Sequence, residues 1–290
     1  MNEMTSGSTG QAKAAPAENE SLNNACPAIS VVMAACNGEP YIGQQLESII
    51  SQLGEEDELL ISIDSSADRT KETVSQMIAR YPDQSIYVQA GPDKGVIANF
   101  ESILALAANP VIVLADQDDC WHPKRLARVR QEFGKDPDLK AMVCDAAICD
   151  GNLQVISPSY FRKHGTREGY WNNLIRNSFI GCCMALSKDV VDAALPFVQP
   201  LPMHDQYLGL LAYSMGHVLF LDEPLVDYRR HGGNATSLKP SSLSDQLKWR
   251  IWIFQAVSKA RKRAALRRKS KESQAQAGIH SDNKSPQNRA

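Results

Sequence analysis

Three carboxylates occupy four positions in residues 111–121, VIVLADQDDCW, immediately after four apolar residues in a row. Four consecutive aliphatic residues suit a strand covered on both faces, which puts Asp116, Asp118 and Asp119 at its C-terminal mouth. Like charges this close repel and hold their protons unless a cation neutralises them, so the cluster is a candidate site for a divalent metal. Carboxylate oxygens suit Mg2+ or Mn2+. An isolated acidic triplet equally suits a turn capping the next helix; its place at a strand end in an α/β pattern favours the metal.

Alternating elements would position that cluster. Residues 29–33 read as a buried strand and 41–53 as a helix, with Ile42, Leu46, Ile49, Ile50 and Leu53 at helical spacing. A strand over Glu58–Ile63 precedes a helix with Val74, Met77, Ile78 and Tyr81 on one face. A short strand at 86–88, a helix over 96–107 and the strand at Val111 repeat the unit. This alternation predicts an α/β domain: a largely parallel sheet, helices on both faces, and a ligand at the carboxyl ends of the strands. Polar residues do fall there, with Asn37 after the first strand and Asp64 and Asp68 after the second. Each alone is also a common turn former. No GxGxxG or GxxxxGK[ST] is present, so carboxylates and metal would have to handle any phosphate.

The 290 residues allow one sizeable domain with tails. Residues 1–27, poor in large apolar side chains, are expected to be disordered. The domain is expected over 28–240, with a nucleotide-binding half to about 125 and an acceptor half beyond it. A basic amphipathic helical extension over 241–270 and a disordered tail over 271–290 complete the prediction. Seven scattered cysteines form no CxxC pair and no zinc spacing, which points to reduced thiols and a cytoplasmic protein. No apolar run approaches a membrane span and no signal-peptide pattern opens the chain. The net charge of -2 conceals an asymmetry: residues 244–290 carry 12 Lys/Arg against 3 Asp/Glu, leaving an acidic body with no nucleic-acid footprint.

Seven blocks then carry a family resemblance: SVVMAACNGEPYI at 30–42, ELLISIDSSADRT at 58–70, KGVIANFES at 94–102, LADQDDCWHPKRL at 114–126, NSFIGCCMALS at 177–187, MHDQYLGLLA at 203–212 and DEPLVDYRRHGGN at 222–234. In order and spacing the chain resembles family 2 glycosyltransferases, closest to the bacterial rhamnosyltransferase-like branch. The resemblance implies a GT-A fold, a single Rossmann-like sheet flanked by helices with a C-terminal helical extension. It further implies a nucleotide-diphosphate sugar donor such as dTDP-rhamnose, inversion at the anomeric carbon, and a glycan or lipid-linked acceptor in cell-surface polysaccharide synthesis. Asp64 matches the aspartate on the nucleotide base, with Ala34, Asn37 and Asn99 around the donor. Asp116 and Asp118 match the DxD motif, toward the ribose and on the metal, and His231 matches a histidine that in related enzymes can approach the metal or the diphosphate; the bare sequence favours a surface histidine, or one beside the ligands, over direct ligation. Asp205 falls where the family keeps its catalytic base; the bare sequence also allows it to be the N-cap of the helix that follows. Asp119 is expected to cap the helix beyond Pro123.

The chain departs from the family pattern at Ala35 and Cys36, where Thr-Tyr is common, at Ile63, where a first aspartate is common, and at Ser65 in place of Gly. These departures leave room for a catalytically weak or noncatalytic glycan-binding relative. A sugar nucleotidyltransferase would carry a glycine-rich basic loop after the first strand, and Asn37-Gly38-Glu39 is not one. Toward the C-terminus, Leu243, Leu247, Trp249, Ile251, Trp252, Ile253, Phe254 and Val257 precede a run of Lys and Arg to residue 269. That pattern suits peripheral contact with the inner face of a membrane, or packing on the domain with a solvated basic end.

Overall fold

The computed structural model of the chain describes residues 26–231 and 242–282. Residues 1–25 and 283–290, and with them most of the tail expectations, lie outside the described residues, as do the last three positions of the HGGN segment.

The chain first lays down β1 (Ile29–Ala35), α1 (Glu39–Ile50), β2 (Glu58–Ile63), α2 (Thr70–Ile78), β3 (Ile86–Ala90), α3 (Val96–Leu104) and β4 (Val111–Asp116). Their strands pair in the order β3-β2-β1-β4, all parallel. Every residue of β1 is buried, as its unbroken apolar run requires. α1 begins two residues before the expected start because Pro40 suits a helix's first turn, where its missing N–H costs nothing. α3 stops at Leu104 instead of 107: Leu106 and Ala107 tighten into bonds to Ile103 and Leu104 before Pro110, which disfavours helix at the residue before it.

The second half adds β5 (Cys120–Trp121), α4 (Arg125–Lys135), β6 (Leu139–Cys149), β7 (Val155–Ser157), α5 (Tyr160–His164), α6 (Tyr170–Ile175), a 3-10 turn at Gly181–Cys183, β8 (Met184–Ser187), α7 (Lys188–Ala194), α8 (His204–Tyr213), β9 (His217–Arg229) and α9 (Leu243–Asp282). The sheet continues past β4 as β8-β6-β9-β5, with β7 on β6. Here directions are mixed: β8 runs antiparallel to both β4 and β6, and β9 runs parallel to β6 and antiparallel to β5. The parallel sheet expected from the sequence is therefore its first four strands. An apolar run reports burial and carries no information on strand direction. Register shifts of β9 against β6 around Asp145 let this long strand bend, so that its last residues reach β5 and the acidic turn.

α9 settles on α6, α7 and α8. Ile253, Ala256, Val257 and Ala260, at helical spacing, are buried there. Its arginines also satisfy carbonyls that helix ends leave without partners. Arg263 Nη2 donates to Ala193 O (2.9 Å) and Ala194 O (2.7 Å), Arg267 Nη1 donates to Asp192 O (2.8 Å), and Arg250 Nη2 donates to Ile175 O (2.8 Å). One face of the extension is thus packed on the domain. The helix also runs on to Asp282, past the expected boundary at 270, through good helix formers such as Lys, Arg, Ala, Glu and Gln. Among the described residues no helix is long and apolar enough to cross a membrane.

This packing separates two neighbouring alanines. Ala260→Glu puts an unpaired charge into the buried seam and should cost about 3 kcal/mol or more, whereas Ala265→Glu, on the exposed side, should stay within about 0.5 kcal/mol of the parent. Urea titration of both variants checks the docking of α9; equal midpoints contradict it.

Candidate active site

The acidic turn at the end of β4 is held in place by an arginine from the end of β9. Arg229, nearly fully buried, donates from its backbone N–H to Asp119 Oδ1 (3.0 Å) and from Nε to Asp118 O (2.7 Å). Its two Nη atoms donate to Gly151 O (2.7 Å) and Gln44 Oε1 (2.8 Å), and the guanidinium lies 4.6 Å above the Tyr41 ring. His231 follows two residues later: its Nε2 is 2.9 Å from Asp118 Oδ2, and its ring sits 4.7 Å from that of Tyr41. Asp116, the last residue of β4, has its main-chain oxygen held by Gln45 Nε2 at 2.9 Å. Asp119 does not cap α4. The cap position there is Lys124, which makes no side-chain cap, and Asp119 instead turns inward to secure β9.

Electrostatic strain concentrates on these carboxylates. Burial, then the charges of Asp119, Asp118 and Asp205, push the Asp116 carboxyl well above its ordinary value. Burial and the neighbouring Asp118 push Asp119 up to about 7. Arg125 partly offsets this from beneath, with its guanidinium 4.2 Å over the Trp121 ring and Nη2 donating to Cys182 O at 2.5 Å. One ligand atom each from Asp116, Asp119 and Cys182 also lie within 4.8 Å of one another. A hydrogen bond with Cys183 favours the Cys182 thiolate, but burial and the charges of Asp119 and Asp116 outweigh it and leave the thiol well above its ordinary value. A protonated thiol does not ligate a hard cation. Beside this group the fold brings His231 Nε2 to within 2.9 Å of Asp118 Oδ2, at the same strand mouth as Asp116.

The β1 and β2 ends form the other wall. Asn37, in the left-handed region at φ 52°, accepts on Oδ1 from Ala67 N (2.8 Å) and binds its own N–H to Ser66 Oγ (3.0 Å). Asp64 Oδ1 accepts from Asp93 N at 2.9 Å. Asn99 is buried and braces the sheet, with Nδ2 donating to Ser62 O (3.2 Å). Ala34 lies in β1 between Ser62 and Asp116. Two residues not anticipated from the sequence complete this wall. Gln117 clamps Cys36 at both backbone atoms, accepting from its N–H (2.5 Å) and donating to its carbonyl (2.7 Å), and so ties the β1 loop to the acidic turn. Gly91 admits no side chain, because a Cβ there would stand 2.2 Å from Asp64 Oδ1. Arg229 too was missed, although it stands beside His231 in YRRHGGN; its type alone says nothing of which loops it joins.

Asp205 enters from α8. It is the second residue of that helix, and the N-cap is Met203, which makes no side-chain cap. Its Oδ1 accepts from Gln206 N (2.5 Å) and Asn177 Nδ2 (3.5 Å), yet burial pushes the carboxyl up to about 7. It lies close enough to Asp116 for its charge to be felt there. The adjacent His204 stacks on Phe100 at 4.5 Å, and burial lowers it to about 4, so it stays neutral.

A curled mixed sheet with helices and an acidic turn at its β4 mouth is the arrangement of GT-A glycosyltransferases. Residues 30–195 match the Glycosyl transferase family 2 profile, and the chain belongs to that family. It is 25% identical to an uncharacterised glycosyltransferase of Nostoc sp., over 75% of this chain and 69% of that protein. It is also 25% identical to the dTDP-rhamnosyl transferase RfbG of Shigella flexneri, over 70% and 72%. Among solved structures, S. aureus TarS 1-349 in complex with UDP-GlcNAc superposes with TM-score 0.58 at 16% identity, over 80% of this chain and 66% of that one. The mannosyltransferase PcManGT of Pyrobaculum calidifontis, in complex with GDP-Man and Mn2+, superposes with TM-score 0.52 at 17% identity, over 82% and 64%. The chain spans 59% of the length of a Mycobacterium tuberculosis relative that is again 25% identical.

A native carboxyl that titrates above its unfolded value binds the extra proton between about pH 4 and pH 7, so its contribution to stability falls as pH rises through that window. Asp205→Asn removes the penalty. The variant should gain stability on the order of a few kcal/mol at pH 8 and almost none at pH 4. Thermal melts at both values test this, and a gain of equal size at both pH values counts against a strained carboxyl.

Proposed function

We propose that the chain is an inverting, metal-dependent glycosyltransferase that moves a sugar from a nucleotide-diphosphate sugar to a glycan or lipid-linked acceptor in cell-surface polysaccharide synthesis. The observation that carries this reading is Asp205: a buried carboxyl with raised affinity for a proton, near the Asp116–Asp118–His231 mouth although far along the chain. The similarity to RfbG, named a dTDP-rhamnosyl transferase, supports dTDP-rhamnose as the donor. All seven cysteines are free thiols, which supports a reducing, cytoplasmic setting.

In this mechanism Asp64 reads the base, with Asn37 beside it and Asn99 and Ala34 shaping the floor. Asp116 faces the ribose. Asp118, His231 and Asp116 would hold Mg2+ or Mn2+, and a cation held there would stabilise the negative charge that develops on the departing diphosphate. Asp205 takes the proton from the acceptor hydroxyl as its oxygen bonds to the anomeric carbon and the bond from that carbon to the diphosphate oxygen breaks on the opposite face. A base whose carboxyl titrates at about 7 works where it is matched to neutral pH, so kcat/KM should rise with pH and level off above about 7.

Asp205→Ala should lower transfer by about two to four orders of magnitude while leaving donor affinity near that of the parent. Asp118→Ala should weaken donor binding and remove its dependence on manganese. Nucleoside diphosphate release from a panel of nucleotide sugars, with and without manganese, reads both; no release from any donor favours the noncatalytic alternative. Gly91→Ala, which pushes on Asp64 and Asn99 without touching the metal side, should raise the donor KM with kcat little changed.

A further inference from the structure

Half of the large apolar side chains exposed among the described residues are gathered on two helices. On α9, Leu247, Ile251 and Phe254 lie on one side at helical spacing, with Leu247 58% and Phe254 45% exposed. On α6, Trp171 and Ile175, four residues apart, are 66% and 63% exposed. The two sets adjoin, because Arg250, between Leu247 and Ile251, holds the main-chain oxygen of Ile175 through both Nε (3.1 Å) and Nη2 (2.8 Å). This side of α9 faces away from the seam that Ile253, Ala256, Val257 and Ala260 bury.

Further along, the same side changes character. Continuing the spacing from Phe254 leads through Ser258 to Arg261, Ala265 and Lys269. Arg261, Lys262 and Lys269 are exposed. Residues 259–269 contain seven Lys/Arg and no Asp or Glu, in a chain whose other parts are acidic. One surface thus presents aromatic and aliphatic side chains beside a block of cations.

We infer that the face shared by α6 and α9 binds the surface of an anionic lipid bilayer, the apolar residues entering the headgroup boundary and the cations of α9 meeting acidic headgroups. Charge selects this occupant. Apolar insertion and headgroup attraction reinforce one another at such a surface, and neither alone suffices for firm binding. A second copy docking face to face would set cation against cation. The inference goes with a lipid-linked acceptor, whose reactive end would be presented at that surface, and it rests on the proposed function only for that benefit.

Flotation of the full chain with vesicles tests it, using phosphatidylcholine alone and phosphatidylcholine with about one third phosphatidylglycerol. The parent should float with the anionic vesicles and stay below with the neutral ones, and high salt should release it. Arg261→Gln, Lys262→Gln and Lys269→Gln together should weaken partitioning by about a hundredfold, near fivefold per charge. Leu247→Ser with Phe254→Ser, and separately Trp171→Ser with Ile175→Ser, should each weaken it as well. The α6 pair is decisive, because a free basic helix would not need it. All these side chains are exposed, so the melting temperature should hold. Equal flotation on neutral vesicles, none on anionic ones, or an α6 variant that binds like the parent overturns the inference. So does a dimer in light scattering that the apolar variants dissolve. Diphosphate release in the absence of vesicles is read in parallel: a chain that floats but turns over no donor overturns the transferase reading and leaves this one standing.

Discussion

Arg229 is the joint on which the site depends. Carboxylates crowded at a buried strand end repel one another, and a loop carrying them would splay unless something held it. Arg229 supplies that hold through its backbone N–H on Asp119 and its side chain on Asp118 O, Gly151 O and Gln44. It does so from the last residue of β9, which reaches the turn only because the strand bends against β6 and then pairs with β5. His231 arrives at Asp118 as a consequence of the same connection. Replacing its side chain would keep the main-chain bond to Asp119 but cut the ties to Asp118 O, Gly151 O and Gln44, leaving the β9 end loosely joined to the turn.

The remaining charge is left unresolved within the protein. Arg125 beneath the turn lowers the repulsion without cancelling it, and both Asp116 and Asp119 keep their protons more tightly than ordinary carboxyls. A divalent cation at such a site would relieve repulsion that folding has built in, and so would stabilise the fold. Asp205 shares the same desolvated space from another element. Its raised affinity for a proton is the property a base needs, and burial produces it with no special partner.

α9 has two unlike sides. One side closes the α6, α7 and α8 surface and gives three arginines to helix ends that would otherwise lack partners. The other side stays apolar and then basic, next to exposed residues of α6. The sequence admitted both packing and peripheral contact for this segment. Packing holds for one side, and the other side stays exposed.

Much of the first half was legible because its signals are local. Unbroken apolar runs become buried strands, and spacings of three and four become helices, whatever lies beyond; these placed Asp64 and the acidic turn at strand ends, while the family showed in the resemblance of seven ordered motif blocks. Helix ends shifted by a few residues where Pro40 and Pro110 intervened. What the chain could not declare was anything set by contacts distant in sequence. Strand direction after β4 was one, since burial patterns carry no direction. The inward turn of Asp119 was another, because its partner is Arg229, far down the chain. Gln117 on Cys36, Gly91 against Asp64, and the meeting of Asp205 with Asp116 are of the same kind. Residue type limits which chemistry a side chain can perform, while its neighbours across the fold decide its charge, its orientation and its partner. Only the folded chain brings those neighbours together.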